Sequence, residues 1–131
     1  MASIVRDGRR QAVTNPLLPP AGTPLCRFDE IDDYAGREFV FGQGPGALDM
    51  FVVRRGNDVF GYLNACPHTS APLNWMANKF FNPSRTLLQC ATHGARFRIN
   101  DGVCISGPCK GDALIPVPIR MEDGNVVIAE E

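Results

Sequence analysis

The chain contains two histidines and five cysteines, and each histidine lies close behind a cysteine. Cys66-Pro67-His68-Thr69 is a Cys-x-His pair, and Cys90-Ala91-Thr92-His93 is a Cys-x-x-His pair. Two thiolates and two imidazoles brought together satisfy a tetrahedral zinc ion. They equally satisfy a [2Fe–2S] cluster with both cysteines on one iron and both histidines on the other. The first would be structural and the second would move electrons. Zinc sites of this composition usually serve very small domains that fold only around the metal. Both histidines stand in Gly-, Pro- and Thr-containing loops, a poor setting for core imidazoles.

A series of short strands must position these pairs. Apolar segments run over residues 25–28 and 38–41, the second closed by Gly42-Gln43-Gly44-Pro45-Gly46. Residues 50–54 and 59–63 face each other across Arg55-Gly56-Asn57-Asp58, which reads as a hairpin. The second of these strands runs straight into Asn64-Ala65-Cys66. Residues 86–89 lead into the second pair, and 96–99 leave it and turn at 100–103. Residues 113–120 form an interrupted strand that its prolines assign to a sheet edge, followed by a hairpin through Glu122-Asp123-Gly124-Asn125. No segment carries a helical period of useful length, and there is no internal repeat. The expected class is all-β: an antiparallel sandwich or partial barrel, with a smaller subdomain carrying both pairs inserted at about 64–112.

At 131 residues the chain is large enough for one domain with its own core. A net charge of −1 and the lack of a Lys/Arg run give no footprint for nucleic acid, and no apolar stretch is long enough to cross a membrane. Arg9-Arg10 is not followed by an apolar stretch before Pro19-Pro20, so it reads as surface charge rather than an export signal, and the expected location is cytoplasmic. The odd cysteine count argues against a disulfide framework, and Cys26 reads as a core residue. Residues 1–23 read as an extended arm that Leu17 and Leu18 pin down, and 24–131 as the domain.

From about residue 25 to 128 the sequence resembles the Rieske family at three separated loops. Cys66-Pro67-His68-Thr69 is similar to the first cluster loop. Cys90 to Phe97 is similar to the second, with Asp101-Gly102 fitting the hairpin after it. Ser106-Gly107-Pro108 resembles the proline loop that covers the cluster. The resemblance implies the Rieske iron–sulfur fold and a [2Fe–2S] cluster held by Cys66, His68, Cys90 and His93. Cys66 and Cys90 would hold the buried iron, and His68 and His93 the outer one, their far ring nitrogens forming the electron exit. Two thiolates leave such an oxidised cluster uncharged and its reduced form singly negative. Four thiolates would instead carry it from a double to a triple negative charge, which is why histidine ligation raises the potential.

The chain also departs from the family's high-potential members. The bridging cysteines are replaced by Ala71 and Thr92, and the serine and tyrosine that donate hydrogen bonds to sulfur are replaced by Ala95 and Phe97. That implies a potential near the low end of the Rieske range, about −150 mV rather than about +300 mV. The spacer around residues 73–85 is longer than usual. Its Trp75, Met76, Phe80 and Phe81 are expected to form a contact surface beside the histidines, the alternative being a loop that tucks Phe80 and Phe81 onto its own sheet. Cys104 and Cys109 bracket the proline loop and are expected as reduced thiols, at least one of them near the cluster.

No histidine remains to build a second, oxygen-activating iron site of two histidines and a carboxylate. The resemblance therefore implies an electron-transfer protein rather than an enzyme: a soluble, low-potential ferredoxin passing single electrons from a reductase to an oxygenase or similar terminal enzyme. A tightly bound small subunit of a reductase, as in some nitrite reductases, is the alternative, and a redox-sensing interaction module is a third.

Overall fold

The structure is a computed structural model and describes residues 17–67, 71–74, 76, 78–91 and 94–130. Its strands, in chain order, are β1 (Pro24–Arg27), β2 (Gly36–Phe41), β3 (Leu48–Arg55), β4 (Asp58–Leu63), β5 (Leu88–Gln89), β6 (Arg96–Phe97), β7 (Cys104–Ser106), β8 (Ile119–Glu122) and β9 (Asn125–Ile128). They form three antiparallel sheets with orders β1-β9-β8, β2-β3-β4 and β5-β6-β7. The only helical turns among the described residues are two short 3-10 segments, Phe28–Glu30 and Gly44–Gly46. No helix among the described residues is long and apolar enough to cross a membrane.

The layering follows from β3. Successive strand side chains point to opposite faces, so an unbroken apolar run is explained only if both faces are covered. Leu48, Met50 and Val52 join Ile31, Val117, Val126 and Ile128 in one core, against the β1-β9-β8 sheet. Phe51 and Val53 join Tyr62, Leu88, Phe97 and Cys104 in a second core, against the β5-β6-β7 sheet. The β2-β3-β4 sheet is thus the middle layer. The small third sheet lies wholly inside the stretch that carries both Cys/His pairs.

Turn chemistry fixes the registers. The β3–β4 hairpin turns at Gly56, with φ 63°, so that Arg55 pairs with Asp58 and Phe51 with Tyr62. The β8–β9 hairpin turns through Asp123 and Gly124, both at positive φ, and pairs Glu122 with Asn125. Residues 115–117 run beside β4, where Leu63 N–H donates to the Ile115 carbonyl at 2.9 Å and Val117 N–H to that of Gly61 at 2.9 Å. The strand expected at 113–120 is not formed as such: residues 113 and 116 make only isolated bridges, and β8 begins at Ile119, after both prolines, at the edge of its sheet.

Several details differ from the sequence expectation. The first strand stops at Arg27 because the Glu30 side chain accepts the Arg27 N–H at 2.9 Å and turns the chain. The strand expected at 86–89 shrinks to Leu88–Gln89, since the Asn82 side chain takes the N–H groups of Thr86 and Leu87, at 2.9 and 3.0 Å. The strand β7 was not anticipated. Cys26 is half-buried at the margin of the first core rather than inside it, and burial pushes its thiol pKa up. Leu18 packs against that same core, while Arg9 and Arg10 lie outside the described residues.

Candidate metal centre

The two Cys/His pairs occupy loops closed by the same bond. Cys66 N–H donates to the Ala71 carbonyl at 2.8 Å, and Cys90 N–H donates to the Ala95 carbonyl at 2.8 Å. Each bond spans five residues and encloses a histidine position. Gly94 N–H adds a 3.0 Å bond back to the Cys90 carbonyl, and Ala91 N–H ties the second loop to the first through the Leu73 carbonyl at 2.9 Å. Cys66 is 2% exposed and Cys90 fully buried, and both belong to the core between the middle sheet and the small sheet. His68 and His93 lie outside the described residues, as do Thr92 and Trp75.

A half-buried polar cluster around the buried Asn64 anchors the base of the first loop. Asn64 N–H donates to the Asp49 carbonyl at 2.8 Å, and Asn64 Oδ1 accepts the Leu73 N–H at 2.8 Å. Its Nδ2 donates to Asn74 Oδ1 at 2.9 Å, to Glu38 Oε2 at 3.2 Å and to Asp49 Oδ2 at 3.4 Å. Asn74 Nδ2 in turn donates to Glu38 Oε1 at 3.2 Å. Asp49 Oδ1 is buried without an acceptor-type bond of its own, which fits a protonated carboxyl facing Glu38. Burial first, then the Glu38 carboxylate, push the Asp49 pKa up to about 7. This cluster escaped the sequence reading. Its members stand at 38, 49, 64 and 74, and each alone looks like an ordinary solvated residue.

The third loop closes over the second. Gly107 has φ 103°, and a Cβ there would sit 2.8 Å from Ala95 Cα, so only glycine lets the proline loop approach the second loop this closely. Cys104 Sγ donates to the Ser106 carbonyl at 3.3 Å, and the Cys109 and Cys104 sulfurs are 2.9 Å apart as free thiols. Cys104 and Cys109 share one buried core with Cys66. Burial first, then Cys104 and Cys66, push the Cys109 thiol pKa up to about 12. The two bracketing cysteines therefore do stand in the core that holds a ligand position.

The long spacer folds back on the body rather than spreading outward. Phe80 is 1% exposed and stacks on Phe51 with ring centroids 4.2 Å apart, and Phe81 is half-buried with an edge contact to Tyr34. Of the residues expected as a contact surface, Met76 alone is well exposed among those described.

Residues 23–121 match the family model of the Rieske [2Fe-2S] domain. The chain belongs to the Rieske [2Fe-2S] domain family. No curated protein matches it by sequence. Solved structures do share the fold. The ferredoxin of carbazole 1,9a-dioxygenase from Nocardioides aromaticivorans IC177 is 21% identical over 84% of this chain and 100% of its own, with a TM-score of 0.63. Sphingomonas yanoikuyae B1 ferredoxin is 25% identical over 82% and 97%, at 0.58. The terminal oxygenase of carbazole 1,9a-dioxygenase from Novosphingobium sp. KA1 is 19% identical over 82% of this chain and 30% of its own, at 0.66.

Membership of the Rieske family implies a [2Fe–2S] cluster, and the described donors fit one. Two buried thiols, unpaired by any disulfide, stand at equivalent places in two matching loops of one core.

Proposed function

We propose that this Rieske protein is a ferredoxin-type electron carrier that takes single electrons from a reductase and delivers them to an oxygenase or similar terminal enzyme. The observation that carries the reading is the pair of identically closed loops with buried, unpaired Cys66 and Cys90. The structural neighbours support it. One is the ferredoxin of a carbazole dioxygenase, and another is a complex of reduced oxygenase with oxidised ferredoxin from such a system.

Cys66 and His68 from the first loop, with Cys90 and His93 from the second, are the residues that would hold the cluster. When bound, the cluster supplies a site that gains and loses one electron at a time. The chain's own part is to keep the site rigid and dry. The loop-closing bonds fix both cysteines, the apolar core excludes water from their sulfurs, and the Asn64 cluster ties the first loop to the middle sheet. A fixed site needs little rearrangement when its charge changes. The same reading takes residues 1–23 as an arm and 24–131 as the domain, with 64–112 as the cluster-binding subdomain, which the placement of β5, β6 and β7 supports. It also assigns the protein to the cytoplasm, where five free thiols are kept reduced.

The test is direct. Purified protein should be brown, contain two irons and two sulfides per chain, and give the low-average-g paramagnetic spectrum of a mixed Cys/His cluster when reduced. Colourless protein with one zinc per chain would overturn the reading.

A further inference from the structure

At the hairpin end of β3 and β4, the end opposite Leu63 and the first ligand loop, a cavity of about 380 Å³ opens between Tyr34, Arg55, Ser84, Arg85 and Thr86, over the buried Ile99. No carboxylate stands among the described residues that line it. Its two guanidinium groups are unpaired, since the ion pairs among the described residues use Arg27, Arg37, Arg98 and Arg120. Asp33, at the same turn, accepts the Gly56 N–H at 2.6 Å instead. Arg55 lays its face on the Phe60 ring, 5.4 Å from the centroid, which leaves its in-plane N–H groups to donate elsewhere. A second hollow shares Tyr34 and Arg85 and adds a third cation, Lys79.

The hydroxyl pair beside these cations is arranged to donate. Asn82, 6% exposed, accepts the Thr86 and Leu87 N–H groups through Oδ1 and donates from Nδ2 to Ser84 Oγ and Thr86 Oγ1, both at 3.2 Å. Ser84 and Thr86 then bond each other at 2.9 Å. Two hydroxyls carry two hydrogens, and the mutual bond uses one, so one remains to be donated outward. The backbone is strained at the same place. Tyr34 and Arg85 hold φ of 58° and 60°, a left-handed conformation unusual for bulky side chains, and such strain gathers where ligands are held. We propose that this cavity binds a small phosphate monoester, with Arg55, Arg85 and the outward hydroxyl hydrogen on its phosphoryl oxygens and its organic part against Tyr34 and Ile99. A phosphoryl group presents three terminal oxygens, which matches this set of donors better than the two of a carboxylate. The site does not depend on the cluster assignment.

Isothermal titration of the loaded protein with phenyl phosphate at low ionic strength tests the inference, with inorganic phosphate and phenylacetate as comparisons. Phenyl phosphate should bind saturably and more tightly than either. Arg55→Gln and Arg85→Asn should each weaken it about tenfold or more, the loss expected for one charge-assisted hydrogen bond. Iron content, reduction potential and Tm should stay close to wild type. Asparagine tolerates the left-handed backbone at position 85, so that variant keeps its fold. Absence of saturable binding would overturn the inference. So would inorganic phosphate or phenylacetate binding as tightly as phenyl phosphate, or wild-type affinity in both folded variants. Failure of the wild-type protein to hold iron and sulfide, with phenyl phosphate still bound, would remove the cluster assignment and leave this site standing.

Discussion

Asp49 is held where its charge is poorly solvated, behind the first loop and against a second carboxylate. Among the described residues no cation pairs with it or with Glu38, and its only donor is the Asn64 amide. The sign of its effect on stability follows from linkage. Its ordinary pKa is 3.8 and its folded value about 7, so between these the folded protein holds a proton that the unfolded chain has released. The stability this group contributes is complete below 3.8 and is lost as the pH rises toward 7. Melting curves should therefore show a lower Tm at pH 8 than at pH 5. Asp49→Asn, which mimics the neutral form and can donate to Glu38, should flatten that difference. The same slope in the variant as in wild type would show that the carboxyl pair is not its source. None of this was legible in the sequence. Cys66, His68, Cys90 and His93 could be singled out because thiols and imidazoles at metal-ligand spacing have few other uses, whereas two acids and two asparagines have many.

At the level of elements, the strands were legible where alternation and turn chemistry agreed, as in β3–β4 and β8–β9. They were lost where a side chain took backbone groups away from a ladder. Asn82 is the clearest case, because its carbonyl oxygen ends the strand expected at 86–89, and nothing in the run Thr86-Leu87-Leu88-Gln89 announces it. The same hidden competition decides the role of the spacer. Apolar residues in an over-long loop read equally as a docking surface or as a flap over the core, and the Phe80–Phe51 stack settles Phe80 on the second side. Phe80→Ala should cost about 3–5 kcal/mol of stability, the range for an emptied aromatic core site. Denaturant unfolding measures it. A loss below about 1 kcal/mol, the range of ordinary surface changes, would return Phe80 to the surface.

At the scale of the whole molecule, the strand β3 belongs to both cores, so neither can empty without exposing the other. Unfolding should accordingly be a single cooperative transition, with the far-ultraviolet circular dichroism and the visible absorption of the loaded protein lost at one temperature. Two resolved transitions would mean that the cluster-binding subdomain melts independently of the base. The spacer shows how this unity is compatible with variation. Gln89 N–H bonds to the Phe80 carbonyl and Asn82 N–H to that of Leu87, both at 2.9 Å, and Phe81 bridges Leu88. These contacts close the base of a small hairpin whose tip, residues 83–86, is exposed. Chain length beyond such a clasp is decoupled from the ligand loops. The tip is therefore a natural graft point, where a tag, a tether or a whole partner domain could be spliced in without altering the spacing between Cys66 and Cys90 in space.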